Sequence, residues 1–171
     1  LGGTSDERDV SLASGVQVTS ALRRAGHEVL AVDTVHGRLA PDQERQLLVE
    51  GVKAGPPGSG ALAALDESHI VALTRDADLA DVDVFFLALH GGSGEDGTIQ
   101  ALLDVAGATY TGSDRLGCSL AMDKEVTKRL LRDAGIPTPD WMVGPHKVDE
   151  VEMALGLPVI VKAAAGGSSL R

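Results

Sequence analysis

The strongest constraint on the fold is the run Val82–Leu89, VDVFFLAL, which is apolar except for Asp83. A run of this kind is typical of a parallel strand that is covered on both faces. It is followed at once by His90 and the glycine-rich stretch GGSGEDG, and then by a helical pattern over Thr98–Ala106 that Gly107 ends. Strand, glycine turn and helix in this order predict one unit of an open parallel α/β sheet.

The start of the chain predicts a second unit of the same kind. Leu1 precedes Gly2-Gly3, as at the end of a strand whose beginning lies outside the chain, and a helix follows. We expect that helix to bury one face, made of residues at helical spacing: Ser11, Gly15, Val18, Leu22 and Ala25. Gly26 ends it, and Val29–Asp33 is predicted as the next strand. The charged residues near the helix start, Asp6, Arg8 and Asp9, are expected to be solvated.

The middle of the chain carries weaker signals. Glu44–Lys53 is predicted as a helix, GPPGSG at Gly55–Gly60 as a turn, and Ile70–Leu73 as a strand. The glycine and serine at positions 112 and 113 indicate a domain boundary. It divides the chain into a first α/β domain, residues 1–112, and the start of a second unit, residues 113–171.

The second unit is predicted to mix helices and strands. Leu116–Met122 and Lys124–Ala134 read as helices, the second of them capped by Asp123. The remaining elements, in chain order, are a strand, a short helix and a strand: Trp141–Val143, Asp149–Ala154 and Pro158–Lys162.

Composition narrows the class of function. The net charge of −10 and the lack of a basic tract disfavour nucleic-acid binding. The one cysteine, Cys118, cannot form an internal disulfide, which fits a reducing compartment. No apolar run approaches the ~20 residues of a membrane span, and no signal segment opens the chain, so a cytoplasmic location without membrane attachment is predicted. The histidines other than His90 lie at no spacing typical of metal ligands, and no metal site is predicted among these residues.

The segment His90–Gln100 lies where an open α/β sheet binds ligands, beyond the carboxyl end of a strand. Its glycines, Gly91 among them, let the backbone approach a ligand, and the next helix offers free N–H groups. His90 can donate or accept a hydrogen bond. Spacing alone leaves open a plain glycine-rich turn in which Glu95 and Asp96 only favour the helix dipole.

Other candidates have equally plain alternatives. Glu7 could hold a substrate ammonium or could act only as a first-turn acid of the helix. Lys124, at a helix start, and Lys162, at the end of the strand VIVK, could each contact phosphate or lie at the surface. Ser168 and Ser169 offer hydroxyl groups in a glycine-rich loop, where such residues commonly form turns.

Five motifs stand in an order that resembles the D-alanine–D-alanine ligase family of ATP-grasp enzymes. They are GGTSDERDVS, HGGSGEDGTIQ, YTGS, AMDKEVTKRLLRDAGIPTP and LGLPVIVKAAAGGSS. The resemblance runs from Leu1 to about Ser169, with a variable stretch at His36–Asp81. It implies a Rossmann-like N-terminal domain that precedes an ATP-grasp region, of which only the first part is present.

The resemblance also implies an activity, the ATP-dependent joining of two D-alanines through an acyl phosphate to supply peptidoglycan synthesis. Glu7 would hold the ammonium of the first D-alanine, and His90 and Gly91 would lie beside that substrate. ATP phosphates would contact Lys124 and Lys162. Ser168 and Ser169 would also lie at the ATP, and Ser168 would join a catalytic network with Glu7.

The sequence also departs from the family pattern. Ala163 replaces a proline, Ala165-Gly166 replaces a charged pair, and Leu170-Arg171 replaces Val-Gly. The magnesium ligands and the adenine pocket are expected beyond Arg171, so the chain alone is expected to be inactive. A D-alanine–D-lactate or other dipeptide ligase, and a truncated module that only dimerises or binds a small ligand, stay open as alternatives. The family resemblance implies a homodimer formed through the N-terminal domain.

Overall fold

The fold is described from a computed structural model that covers residues 1–50, 71, 76 and 79–167. It is a mixed helix and strand fold of the α/β class, as the sequence predicts. The predicted turn at Gly55–Gly60 lies outside the described residues. Of the predicted strand Ile70–Leu73 only Val71 is described, and it is helical.

Six α-helices and two short strands are described. The helices are α1 (Arg8–Arg24), α2 (Pro41–Glu50), α3 (Thr98–Ala106), α4 (Arg115–Met122), α5 (Lys124–Asp133) and α6 (Val148–Leu155). Strands β1 (Val32–Asp33) and β2 (Gly37–Arg38) form an antiparallel pair, and a 3₁₀ helix spans Gly92–Gly94. In the described parts of the chain, no helix is both long enough and apolar enough to cross a bilayer.

Helices with a strong local end signal lie where they were predicted. Helix α3 has the predicted bounds and ends at Gly107, which adopts φ +70° as a left-handed cap. Asp123 caps α5 by accepting hydrogen bonds from the N–H groups of Glu125 and Val126. Helix α2 begins three residues before the predicted Glu44, at Pro41, a residue suited to a first helical turn.

The predicted strands are shorter than expected because few of them have a hydrogen-bonding neighbour. In the stretch Val29–Asp33 only Val32–Asp33 pairs in a ladder. Leu1 lies beside it as a parallel strand residue would: its amine donates to Val32 O at 3.0 Å, and its carbonyl accepts from Thr34 N at 3.0 Å. Side chains of α1 leave room for this residue only because position 15 is glycine, where an added Cβ would lie 2.4 Å from Leu1 Cβ.

The run Val82–Leu89 also pairs at one point only. Phe85 forms a parallel bridge with Tyr110, with Phe85 N donating to Thr109 O at 2.8 Å and Thr111 N donating to Phe85 O at 3.0 Å. An apolar groove of about 730 Å³ separates this run from residues 28–34. The continuous strand predicted here was therefore wrong in extent, although its parallel direction beside Tyr110 fits the predicted sheet.

The strands predicted at Trp141–Val143 and Pro158–Lys162 are not formed. Ile160 and Val161 are 84% and 91% exposed, so no neighbouring chain covers them among the described residues. Helices α4, α5 and α6, which are described in full, bury no residue. The boundary after Gly112 stays a prediction.

The buried core belongs to the first part of the chain. On one side, Val16 of α1 is buried, as are Ala31, Val35 and Leu39 around the β1–β2 hairpin. On the other side, Ile99 and Leu103 of α3 pack against a set of half-buried residues: Phe85, Leu87, Leu89, Leu102, Ala108 and Tyr110. The candidate site lies between these two groups of buried residues, where the extended segments that contain Leu1 and Leu89 end.

A buried ion pair fixes the start of α1. Arg8, expected to be solvated, is instead 8% exposed and pairs through both terminal nitrogens with Asp33, which is 2% exposed. Arg8 also donates to Gly3 O at 2.8 Å, and the His36 imidazole lies 2.8 Å from Asp33 Oδ2. Burial alone would raise the pKa of Asp33, but hydrogen bonds from Arg8, His36 and the Val35 N–H hold it below its usual value.

We predict that Asp33→Asn lowers the free energy of unfolding by about 3–5 kcal/mol, because it leaves the Arg8 guanidinium buried without a counter-charge. Since the folded pKa of Asp33 is depressed, its stabilisation is present above its unfolded pKa and is lost as pH falls through the folded value. The variant should therefore lose stability less steeply than wild type between about pH 5 and pH 2. Urea unfolding across that range measures both effects.

Asp104→Asn is the matched control. Asp104 also pairs with an arginine, Arg115, but on the exposed face of α3, where solvent screening leaves such a pair little effect on stability. Equal destabilisation by the two substitutions would contradict the assignment of Asp33 as the buried partner.

Candidate active site

The first element of the candidate site is the carboxylate of Glu7. Glu7 occupies the N-cap position of α1 without making a side-chain cap hydrogen bond. Its carboxylate lies instead close to the backbone of Gly91 and Gly167: a Cβ added at these positions would come within 2.8 Å and 2.7 Å of Glu7 Oε2. The approach is possible only because both residues lack a side chain.

The loop that follows Leu89 is shaped by its glycines. Gly91 adopts φ +69° and ψ 169°, a conformation that glycine alone adopts readily. A Cβ at Gly94 would lie 2.4 Å from Leu89 Cβ, and one at Gly97 would lie 2.4 Å from Arg115 O. The glycines at positions 91, 94 and 97 are therefore required by close contacts within the protein, whether or not a ligand also needs them.

The acids of this loop differ in what they do. Asp96 Oδ1 accepts a hydrogen bond from Thr98 N at 2.9 Å, as expected of an acid at a helix start. The Glu95 carboxylate extends toward Gly167 instead, where a Cβ would lie 3.3 Å from its Oε2. Glu7 and Glu95 thus converge on the same backbone position, and this concentration of negative charge favours a cationic ligand group.

His90 is held at its backbone by two serine side chains. Ser5 Oγ donates to the His90 carbonyl, and Ser11 Oγ accepts from the His90 N–H. The residue predicted to lie beside the substrate is therefore brought next to Glu7, across 83 positions of sequence. Its neighbour Gly91 is buried and completes the wall of the site.

The two predicted lysines have different surroundings in this structure. Lys124 Nζ donates to Gly166 O at 2.7 Å, and Lys124 N donates to Ala164 O at 2.9 Å. With the antiparallel bridge between Asp123 and Ala165, these contacts hold residues 164–166 against the start of α5. Lys162 is exposed. Ser168 and Ser169 lie outside the described residues, so their predicted roles stay predictions.

Sequence reasoning missed three residues of this region. Arg8 was expected at the surface, and neither Ser5 nor Ser11 was expected to bond to His90. A signal was present for Arg8, because the buried face of α1 that includes Ser11 and Gly15 extends back by three residues to Arg8. The serines gave no such signal, since their partner lies far along the chain.

The sequence of the chain matches one family of known proteins. The sequence profile described as D-ala D-ala ligase N-terminus matches residues 1–113. A D-alanine–D-alanine ligase of Marinomonas sp. (strain MWYL1) is 40% identical over 171 residues, which are 99% of this chain and 44% of that protein. One from Halorhodospira halophila is 38% identical over 99% of this chain and 44% of its own length. The chain thus spans less than half the length of these relatives.

Solved structures agree with the sequence matches. A D-alanine–D-alanine ligase from Bacillus anthracis is similar with a TM-score of 0.63 and 30% identity, over 98% of this chain and 45% of the other. A second structure of the Bacillus anthracis ligase, complexed with ATP, gives a TM-score of 0.65 and 29% identity, over 97% of this chain and 46% of the other.

We predict that Gly91→Ala destabilises the chain more than Gly107→Ala. Both glycines have positive φ, +69° and +70°, but Gly91 has ψ 169° and Gly107 ψ 21°, so the backbone of Gly91 is also the harder one for an alanine to adopt. An added methyl group meets nothing within 4 Å at Gly107, but at Gly91 it meets the Glu7 carboxylate and the Ser5 hydroxyl. Gly107→Ala should cost about 1–2 kcal/mol for its left-handed backbone, and Gly91→Ala should cost clearly more. Urea unfolding of the two variants measures the difference, and equal costs would contradict the close packing of Glu7 on Gly91.

Proposed function

The chain belongs to the D-alanine–D-alanine ligase family, and we propose that the full-length protein joins two D-alanines at the expense of ATP. The observation that supports this most is the carboxylate of Glu7, which lies against glycine backbone on two sides with Glu95 nearby. A small amino acid has an ammonium group, which such a carboxylate binds by a charge-assisted hydrogen bond.

In the proposed reaction, the terminal phosphoryl group of ATP passes to a carboxylate oxygen of the first D-alanine, which gives ADP and an acyl phosphate. The amine nitrogen of the second D-alanine attacks the acyl carbon and loses a proton, and inorganic phosphate leaves from the tetrahedral intermediate. Such a reaction depends mainly on positioning and on neutralising negative charge.

The residues of this chain have separate parts in that scheme. Glu7 holds the ammonium of the first D-alanine, and His90 and Gly91 lie beside that substrate and orient it. Lys124 and Lys162 supply positive charge to the phosphates of ATP. Ser168 is proposed to join the hydrogen-bonding network of Glu7, and Ser169 to contact ATP.

The position of Lys124 supports its proposed part. Its ammonium donates a hydrogen bond to the carbonyl of Gly166, a neutral acceptor in the glycine-rich segment before Ser168. A phosphate oxygen is a stronger acceptor because it is charged, so ATP bound against this segment would compete for the lysine.

The family resemblance also implies magnesium. In the described part of the chain no three His, Cys, Asp or Glu side chains are grouped as metal ligands. We therefore propose that the ion, which would neutralise phosphate charge, is held mainly by residues outside this part. Pairing through the N-terminal domain, a cytoplasmic location and a role in peptidoglycan synthesis are proposed on family membership alone.

The activity is tested with the full-length protein, ATP, magnesium and D-alanine. We expect phosphate release that depends on D-alanine, and D-alanyl-D-alanine as the product identified by mass spectrometry. Phosphate release that requires D-lactate in addition to D-alanine would instead identify a depsipeptide ligase, which joins D-alanine to D-lactate. Absence of D-alanine-dependent phosphate release would contradict the proposal.

Glu7→Gln is predicted to raise the KM for D-alanine by about 10- to 100-fold, which corresponds to the loss of one charged hydrogen bond. The KM for ATP should change little, since Glu7 faces the amino acid. Asp6→Asn is the matched control, because Asp6 is the neighbouring acid but is exposed. Steady-state kinetics with each substrate varied in turn measure the split, and an equal rise in both KM values would count against the assignment.

Lys124→Met is predicted to show the opposite split, with a KM for ATP raised by about tenfold and a KM for D-alanine little changed. Lys128→Met is its control on the same helix, since the Lys128 ammonium donates to Pro139 O and lies over the Trp141 ring. If both substitutions weaken ATP equally, a specific phosphate contact by Lys124 is wrong.

A further inference from the structure

Two serine hydroxyls connect the backbone of Glu7 to the backbone of His90. Ser5 Oγ accepts from Glu7 N at 3.2 Å and donates to His90 O at 2.6 Å. Ser11 Oγ accepts from His90 N at 2.8 Å and donates to Glu7 O at 3.3 Å. Each hydroxyl has one hydrogen to donate and lone pairs to accept, so each makes one bond of each kind.

These four bonds form a closed ring, which includes the N–H and the C=O of His90 and the N–H and the C=O of Glu7. Among the described residues, no backbone–backbone hydrogen bond joins residues 2–11 to residues 90–97. The two segments are 79 to 85 positions apart in sequence where the serines link them. The two serines therefore supply hydrogen bonds that link one segment to the other.

The chemistry of the two serines fits a positioning role. Ser11 is fully buried on the inner face of α1, so it cannot touch a ligand in solution. The Ser5 hydroxyl makes both of its bonds to backbone groups. A small shift of His90 along the Glu7 backbone would move Gly91 relative to the carboxylate that packs on it.

We propose that Ser5 and Ser11 are positioning residues, which hold Glu7 and His90 in the register that binds the ammonium group of the first D-alanine. This inference rests on the proposed function. The substrate touches Glu7 and His90, and the serines act only through those two residues. Loss of either hydroxyl breaks the ring on one side and leaves one peptide group of His90 without its partner.

The experiment uses the full-length protein with four variants: Ser5→Ala, Ser5→Thr, Ser11→Ala and the double alanine variant. Each single alanine variant should raise the KM for D-alanine by about 10- to 100-fold, with the KM for ATP unchanged. Ser5→Thr keeps the hydroxyl and should recover most of the affinity. The double variant should lose less than the product of the single losses, because both serines support one ring.

Ser20→Ala is the matched control. Ser20 lies on the same helix and its hydroxyl accepts from Arg24 at 2.7 Å, far from Glu7 and His90. It should leave both KM values unchanged. A rise in both KM values that follows the loss in melting temperature, or unchanged KM values in the alanine variants, would overturn the proposal.

A second measurement is independent of activity. Amide hydrogen exchange at His90 should be faster in Ser11→Ala than in wild type and in Ser20→Ala, because the His90 N–H loses its acceptor. Unchanged exchange at His90 would overturn the ring. If wild type does not turn over D-alanine, the proposed function fails, whereas the exchange measurement still decides whether the serines hold His90.

Discussion

The buried pair of Arg8 and Asp33 is the contact on which the geometry around the candidate site depends. It joins the first turn of α1 to the end of β1, and Arg8 also holds the carbonyl of Gly3. The pair lies directly on Gly2, where an added Cβ would be 2.1 Å from Asp33 Oδ1. Glu7 immediately precedes Arg8, so the bonds of the Arg8 guanidinium also fix the backbone position from which the Glu7 side chain extends.

The candidate site is built mostly from backbone. Gly91 and Gly167 let the carboxylate of Glu7 lie against the main chain, and the serines hold His90 through its peptide groups. The glycine backbone thus limits where the Glu7 side chain can lie, and the serines limit where the His90 backbone can lie.

How much the sequence could predict depended on the range of the forces involved. Helices α3 and α5 were predicted well because Gly107 and Asp123 act within one turn of the helix end. Strands need a neighbour that the local sequence does not contain, which is why Pro158–Lys162 was predicted as a strand but forms none. Arg8 was misjudged because its counter-charge lies 25 positions away, although its place on the buried face of α1 was a local signal.

The groove between residues 28–34 and 82–89 has a consequence for handling the chain in solution. Among the described residues, no backbone–backbone hydrogen bond joins the two walls of the groove, so neither wall pairs with the other beside these apolar side chains. Free strand edges of this kind are templates for the addition of another extended segment. We therefore expect any contact between separate copies of this chain to depend on protein concentration.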